Sequence, residues 1–266
     1  MPTALITGAS SGIGAEFARQ LAQRQSDLVL VARSEDALQQ LARQLQAQYS
    51  IQTTVIACDL TEPEATERVY RETEGRGVSI DLLVNNAGFG DYGAFSLRDR
   101  SKLLAMVQLN VTALVDLTHR FLVPMQQRRR GSIINVGSIA GFQPLPYLAV
   151  YAATKAFVLS FSESLWAENR NTGVKVLAVC PGPTDTNFAK IAGLSDSDSQ
   201  SQPKNQNAID SPETVVKDAL SALKKDQPSA VVGSIFNQII TTLPRFLSRS
   251  TLVTSIEKQF RPKEKF

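Results

Sequence analysis

Tyr151 and Lys155 stand four residues apart in Tyr151-Ala152-Ala153-Thr154-Lys155, so a helix there projects both side chains from one face. A free phenol titrates at about pH 10 and is almost wholly neutral under physiological conditions, whereas an ammonium group fixed beside it favours the phenolate. The pair suits general acid/base work at a carbonyl oxygen that gathers charge as its carbon is attacked, or at the alcohol in the reverse direction. The bland alternative is an exposed pair whose lysine stem lies along the ring. Ser138 argues for the first reading. It follows the apolar run Ile133 to Val136, and a hydroxyl at a strand's carboxyl end can hydrogen-bond a substrate oxygen.

A second constellation is Thr7-Gly8-Ala9-Ser10-Ser11-Gly12-Ile13-Gly14, set between an apolar run and a helix-like segment. Missing Cβ atoms let a backbone turn tightly and approach a pyrophosphate, while free N–H groups and the dipole at a helix start attract the anion. The spacing is Gly-x-x-x-Gly-x-Gly rather than Gly-x-Gly-x-x-Gly, but strand before and helix after mark a dinucleotide turn rather than a plain connection. The next strand ends in Val31-Ala32-Arg33-Ser34. An acid there would hold ribose hydroxyls, whereas an arginine accepts a 2′-phosphate, so Arg33 favours NADP(H) over NAD(H).

The elements that must position these groups alternate. Strand-like runs fall at Thr3 to Thr7, Asp27 to Ala32, Thr53 to Cys58, Ile80 to Asn85, Ser132 to Val136, Val174 to Cys180 and Ala230 to Val232. Helical periodicity fills Ile13 to Arg24, Glu35 to Gln48, Glu64 to Glu74, Leu97 to Gln127 and Ala152 to Asn169, the fourth long enough to bend or break. Runs apolar on successive residues imply burial on both faces. The pattern predicts an α/β protein, a three-layer, doubly wound parallel sheet of about seven strands in one domain.

Composition narrows the function classes. Lys and Arg total 28 against 25 Asp and Glu, and a net charge of +3 is too small to make nucleic acid the main partner. Cys58 and Cys180 sit in apolar runs and read as reduced, packed thiols. His119 is the only histidine and reads as a surface residue, so no histidine-based metal cluster or charge relay is expected, and no metal. No nucleophile elbow supports hydrolase chemistry. No apolar run approaches the roughly 20 residues that span a bilayer, and no secretion signal is read, which gives a cytoplasmic expectation.

Together these residues resemble the short-chain dehydrogenase/reductase family, over Thr3 to about Val232. Besides the glycine turn, the resemblance rests on Cys58-Asp59-Leu60, Asn85-Asn86-Ala87-Gly88, Leu109-Asn110-Val111, Gly137-Ser138, Tyr151 to Lys155 and Pro181-Gly182-Pro183-Thr184-Asp185-Thr186. It implies a Rossmann-type catalytic domain over 1–233, with Ser138, Tyr151, Lys155 and Asn110 as the catalytic group. It implies cofactor contacts from Gly8, Ser10, Ser11, Gly12, Ile13, Gly14, Arg33, Asp59, Leu60, Asn86, Ala87, Gly88, Tyr151, Lys155, Pro181, Gly182, Thr184 and Thr186. Within this set Asp59 would meet the adenine, Asn110 would hold a water linking the lysine to solvent, and Lys155 would hold ribose hydroxyls. Asp59 capping a turn and Asn86 acting structurally stay open. Ser10-Ser11 departs from members that carry a second base before the middle glycine, so phosphate selectivity leans on Arg33. Homodimers or homotetramers are implied through the helices of Asn110 and Tyr151.

Residues 195–207 contain no large apolar side chain and are expected to form a lid after a strand's carboxyl end. In the C-terminal extension, 234–266, Ile235, Ile239, Leu243 and Phe246 share a helical face. That extension would cover the pocket or form a subunit contact, with weak membrane-surface contact as the sharper alternative. Phe142, Leu145, Leu148 and Phe188 favour a hydrophobic carbonyl/alcohol substrate over a sugar. The expected activity is NADP(H)-dependent interconversion of a carbonyl and an alcohol. The rivals are a non-catalytic NADP(H)-binding sensor or scaffold, and an isomerase or dehydratase on the same fold.

Overall fold

Seven strands form one parallel sheet: β1 (Thr3–Thr7), β2 (Asp27–Ala32), β3 (Thr53–Ala57), β4 (Leu82–Asn85), β5 (Gly131–Val136), β6 (Val174–Pro181) and β7 (Ser229–Val232). Their order in the sheet is β3-β2-β1-β4-β5-β6-β7. The structure, a computed structural model, describes residues 1–194, 209–242 and 246–262; the lid expected over 195–207 lies outside the described residues. The helices are α1 (Gly12–Gln23), α2 (Glu35–Tyr49), α3 (Ala65–Glu72), α4 (Arg100–Val107), α5 (Leu114–Gln127), α6 (Ala149–Glu168), α7 (Phe188–Ala192), α8 (Pro212–Lys224), α9 (Ile235–Thr242) and α10 (Arg249–Phe260).

Successive strand residues point to opposite faces, and both faces are covered. Ala4, Ile6, Leu28, Leu30, Ile134 and Leu177 pack against Phe17 of α1, Leu38 of α2 and Val216 of α8. Leu5, Val29, Leu83, Ile133 and Val176 face the other way, onto Val69 of α3 and Leu117 and Phe121 of α5. A third cluster lies beyond the strands' carboxyl ends and joins Tyr92, Leu103, Met106, Leu145, Leu148 and Tyr151 to Ile256 of α10. The chain order reverses between β1 and β4, which pair as Ala4↔Leu82 to Ile6↔Val84, and their carboxyl ends open the crevice of a doubly wound sheet.

The long helix is broken, as its length allowed, and one helix is added to the sequence pattern. The helix expected over Leu97 to Gln127 is three pieces: α4 starts at Arg100, where Asp99 accepts a bond from the Lys102 N–H at 3.0 Å, and a π-type turn over Gln108–Ala113 separates it from α5. Asn110 sits in that turn, and its side chain takes both the N–H and the C=O of Phe89, tertiary bonds that periodicity cannot reveal. Helix α8 was not anticipated although it is signalled locally: Ser211 caps it, accepting from the Thr214 N–H at 3.2 Å, and Pro212 occupies its first position.

Candidate active site

The chain leaves β1 into the glycine turn, and close contacts at its three glycines leave no space for side chains at those positions. A Cβ on Gly14 would collide with the Gly8 carbonyl oxygen, and one on Gly8, whose φ is +65°, would lie 2.8 Å from Asn86 Nδ2. Asn86 Nδ2 donates to the Thr7 carbonyl at 2.9 Å, while the N–H groups of Asn86 and Ala87 donate to Thr7 Oγ1 at 2.9 and 3.0 Å. The side chain of Asn86 therefore works structurally, stitching the end of β4 to the turn. Helix α1 starts with Ser11 extended, with no side-chain cap and no acid in its first turn. Its first N–H groups thus lack a side-chain partner and face the crevice, as an anion site requires. Thr186 reaches the same turn, since a Cβ on Gly12 would lie 3.0 Å from Thr186 Cγ2.

Arg33 follows β2 with its side chain 81% exposed and Nη1 3.7 Å from Asp59 Oδ2. Asp59 Oδ1 accepts from the Thr61 N–H at 2.9 Å and the Thr61 hydroxyl at 2.8 Å. Partial burial would raise the Asp59 carboxyl, but the Thr61 bonds and the Arg33 charge outweigh it and hold it below the usual carboxylate range. Asp59 caps a turn and faces the guanidinium. The side chain of Leu60 is buried in the core, which leaves only its backbone at the crevice. An uncapped helix start, a turn that excludes side chains and an exposed guanidinium beyond it fit a phosphorylated dinucleotide.

Ser138, Tyr151, Lys155 and Asn110 converge past β5. Lys155 Nζ is buried and donates to the Val136 carbonyl at 2.7 Å, 5.8 Å from the centre of the Tyr151 ring. A Cβ on Gly88 would meet both Asn110 Oδ1, at 2.9 Å, and Lys155 Nζ, at 3.7 Å, so both groups close on that glycine. Asn110 Nδ2 also donates to Thr154 Oγ1 at 3.2 Å, tying the π-type turn to α6. The Ser138 hydroxyl oxygen accepts from the Ala140 N–H at 3.1 Å, and that hydroxyl acts to lower the Tyr151 phenol.

The expectation of a phenol brought down toward neutral pH is corrected, because burial dominates. Burial pushes the Tyr151 hydroxyl up to about 12, only partly offset by the Ser138 hydroxyl, and the neighbouring Cys180 thiol adds to the rise. Burial likewise pushes the Lys155 ammonium down to about 8. The lysine is turned onto a backbone carbonyl, so desolvation decides both groups. At neutral pH Tyr151 holds its proton and Lys155 its charge.

Phe188 and the Pro181 to Thr186 loop were offered by the sequence, but the side chains that fix the surrounding wall were not. Asp91, its side chain fully buried, accepts from Arg98 Nε at 2.6 Å, Arg98 Nη2 at 2.8 Å and Lys102 Nζ at 2.6 Å. Phe188 of α7 packs on Tyr151 with ring centres 5.1 Å apart. After β6, the loop from Gly182 to Thr186 is pinned by Asp210, whose N–H donates to the Pro183 carbonyl at 2.9 Å and whose carbonyl accepts from the Asp185 N–H at 3.0 Å. Asn237 of α9 donates to Asp210 Oδ2 at 2.8 Å and seats against Gly182, where a Cβ would collide with it. Cys180 is a buried free thiol, Cys58 is a half-buried one and His119 is exposed. No group of three or more metal-ligating side chains occurs among the described residues.

Comparison with known proteins agrees with this geometry. The chain is 31% identical over 258 residues, 94% of its length and 78% of the relative's, to a very-long-chain 3-oxoacyl-CoA reductase of Rattus norvegicus. A short-chain dehydrogenase from Sphingobium yanoikuyae, solved in complex with NADPH, superposes with a TM-score of 0.81 at 30% identity, covering 100% of this chain and 99% of that one. A bulky-bulky ketone specific alcohol dehydrogenase from Comamonas testosteroni gives a TM-score of 0.76 at 32% identity, covering 94% and 96%. The family model described as short chain dehydrogenase matches residues 2–194, most of the chain and nearly all of the sheet, so this protein belongs to the short-chain dehydrogenase family.

Proposed function

We propose that this chain is an NADP(H)-dependent reductase of hydrophobic ketones, with an acyl chain bearing a 3-oxo group as the favoured substrate class. One observation carries the chemistry: Ser138, Tyr151 and Lys155 converge past β5, where burial keeps the Tyr151 hydroxyl protonated at neutral pH. The Ser138 and Tyr151 hydroxyls would donate to the substrate oxygen and fix the carbonyl. As that oxygen gains charge, Tyr151 gives up its proton and the Lys155 ammonium stabilises the phenolate left behind. Bound in the crevice, the nicotinamide supplies the hydride for reduction, or accepts it in alcohol oxidation.

The residues that would hold the dinucleotide are the turn from Gly8 to Gly14 for the pyrophosphate, Arg33 for the 2′-phosphate, and Asp59 with the Leu60 backbone beside the adenine. Ala87, Gly88, Lys155 and the Pro181 to Thr186 loop would surround the nicotinamide half. The substrate class rests on the apolar lining of Phe89, Leu145, Leu148 and Phe188, and on the chemistry named for the relatives. Residues 1–233 form the catalytic domain, and α10, packed on the third core cluster, makes the 234–266 extension part of it.

A cytoplasmic, homo-oligomeric enzyme accompanies this reading. Leu104 and Val107 of α4 are 52% and 38% exposed, and Phe157 of α6 is 41% exposed and stacked on Phe161, an apolar face suited to a second copy. A strictly monomeric mass in solution would remove that part. No helix among the described residues is long and apolar enough to cross a membrane. Weak contact with a membrane surface rests on Ile235, Ile239 and Phe246, which are 75%, 55% and 80% exposed around an apolar hollow of about 360 Å³.

The test follows NADPH oxidation by the purified chain against 3-oxoacyl thioesters, bulky ketones and sugars. Tyr151→Phe keeps the ring and removes the proton, so NADPH should still bind while turnover falls on the order of 10²–10⁴-fold. Reduction needs Tyr151 protonated and Lys155 charged, so kcat should hold below pH 8 and decline as the pH rises through about 8, where Lys155 loses its proton. Near-normal turnover in Tyr151→Phe would remove the mechanism.

A further inference from the structure

Two tyrosines hold α10 against the substrate side of the site. Tyr147 has φ +66°, the only aromatic with positive φ among the described residues, in a conformation that is costly for a bulky side chain and persists only where the surroundings enforce it. Its carbonyl accepts from the Gly93 N–H at 2.8 Å, and its hydroxyl donates to Glu257 Oε1 of α10 at 2.8 Å. Glu257 is itself fixed by Arg261, which donates from Nε and Nη2 at 2.8 Å each. Tyr92, with its ring centre 6.4 Å from that of Tyr147, donates from its hydroxyl to the Phe260 carbonyl at 2.7 Å.

The clipped helix turns one face inward. Leu252, Ile256 and Phe260 recur every four residues and so share a side, and all three pack on the cluster that contains Leu145, Leu148, Phe188 and Tyr151. Ile256 is 7% exposed. Leu252, Ile256 and Phe260 carry no charge, Glu257 and Arg261 lie on the clip, and Arg249 at the start of the helix lines the hollow beside Phe142 and Leu145. A wall of this composition accepts an alkyl chain and rejects polar groups, because an unpaired polar group there would lose its hydration.

We propose that the Leu252–Ile256–Phe260 face of α10 sets how long an apolar chain the site accepts, and that Tyr147 is the positioning residue that holds this wall through Glu257. The substrate half of this proposal rests on the reductase reading above; the clip does not. Tyr147 and Glu257 lie outside the Ser138, Tyr151 and Lys155 group, so they act on the reaction only through α10.

The test uses the full chain with NADPH and a series of 3-oxoacyl N-acetylcysteamine thioesters of increasing chain length, with KM and kcat measured for each. In Tyr147→Phe and Glu257→Ala, KM for the long members should rise roughly tenfold, as expected for loss of a hydrogen bond to a charged group, with kcat and the short-chain KM near wild type. Glu257→Gln keeps an acceptor oxygen and should restore most of the long-chain KM. Ile256→Ala should move the preferred chain length upward. Independently of turnover, amide hydrogen exchange across Ser250 to Phe260 should quicken in Tyr147→Phe but not in Glu257→Gln. Unchanged exchange in Tyr147→Phe overturns the clip. An unchanged chain-length profile in an active enzyme overturns the wall and leaves the reductase reading standing. Wild-type protein that binds NADPH yet turns over no member of the series overturns that reading and the wall with it, while the exchange measurement still decides the clip.

Discussion

Around the glycine turn, positions are held by backbone. Gly14 lies against the Gly8 carbonyl, the Thr7 hydroxyl accepts the main-chain N–H groups of Asn86 and Ala87 just past β4, and α1 begins with no side chain over its free N–H groups. Across the crevice the Phe89 to Gly93 and Gln143 to Leu148 loops, α7 and α10 add side-chain locks to the main-chain bonds of Tyr92 to Ala192 and Gly93 to Tyr147: Asp91 on Arg98 and Lys102, Tyr147 on Glu257, Phe188 on Tyr151. The difference follows from what each side must recognise. A pyrophosphate is read by N–H groups that every residue owns, so this side constrains the chain through the absence of side chains. On the proposed function an apolar substrate would be read by shape, and shape here is built from replaceable residues.

The sharpest way to break this comparison is on the backbone side. Gly14→Ala puts a methyl group into the Gly8 carbonyl, and main chain cannot yield as a flexible side-chain tip does. The expected cost is about 3 kcal/mol of stability, the upper end for overpacking, together with loss of NADPH affinity as the turn opens. Thermal unfolding and NADPH fluorescence titration would measure both. If the alanine variant binds NADPH normally, the turn is not held by close approach.

Asp91→Asn probes the other side and should cost less. Asp91 is fully enclosed, but Arg98 and Lys102 are about one-third exposed, at 32% and 37%. Their charges can turn to water when the anion is lost, so the expected cost is about 2 kcal/mol rather than the roughly 3–5 kcal/mol of breaking a fully buried pair. Burial would raise the Asp91 carboxyl, but its bonds from Arg98 and Lys102 outweigh this and hold it below its ordinary value. A carboxyl depressed in the folded state stabilises the protein above its unfolded value of about 3.9 and loses that contribution as the pH falls through the folded value. The difference in urea midpoint between wild type and Asp91→Asn should therefore shrink below about pH 4. A constant difference would show that the carboxylate charge is not what locks the loop.

These two cases also mark what the sequence makes legible. The central strands are readable because burial on both faces of a parallel sheet writes continuous apolar runs, while the half-exposed edge strands β3 and β7 write shorter ones, and the glycine turn and Tyr151 to Lys155 are readable because local spacing carries their chemistry. The π-type turn at Asn110 is enforced by bonds to Phe89, 21 residues away, and the clip joins Tyr147 to Glu257 across 110 residues. Such contacts leave no periodicity. The pairing of Tyr151 with Lys155 was visible, but not its balance: Lys155 is drawn to the Val136 carbonyl, and burial then sets both protonation states.

Arg33 is the exception that sharpens the comparison, a side chain on the side otherwise read by backbone. It is 81% exposed and reaches Asp59 only at 3.7 Å, so it contributes little to the fold, and an exposed ion pair of this kind is worth roughly 0–1 kcal/mol. Arg33→Ala should therefore leave Tm and the NADH KM nearly unchanged. It should raise the NADPH KM about tenfold, a loss of about 1.4 kcal/mol in discrimination, because on the proposed function the guanidinium would meet the 2′-phosphate. Paired measurement of kcat/KM with NADPH and NADH separates the outcomes. An equal loss with both cofactors would mean that Arg33 supports the turn through Asp59, and that the second cofactor phosphate is read elsewhere. A loss confined to NADPH would show selectivity carried by one solvent-exposed side chain on a surface otherwise specified by its backbone.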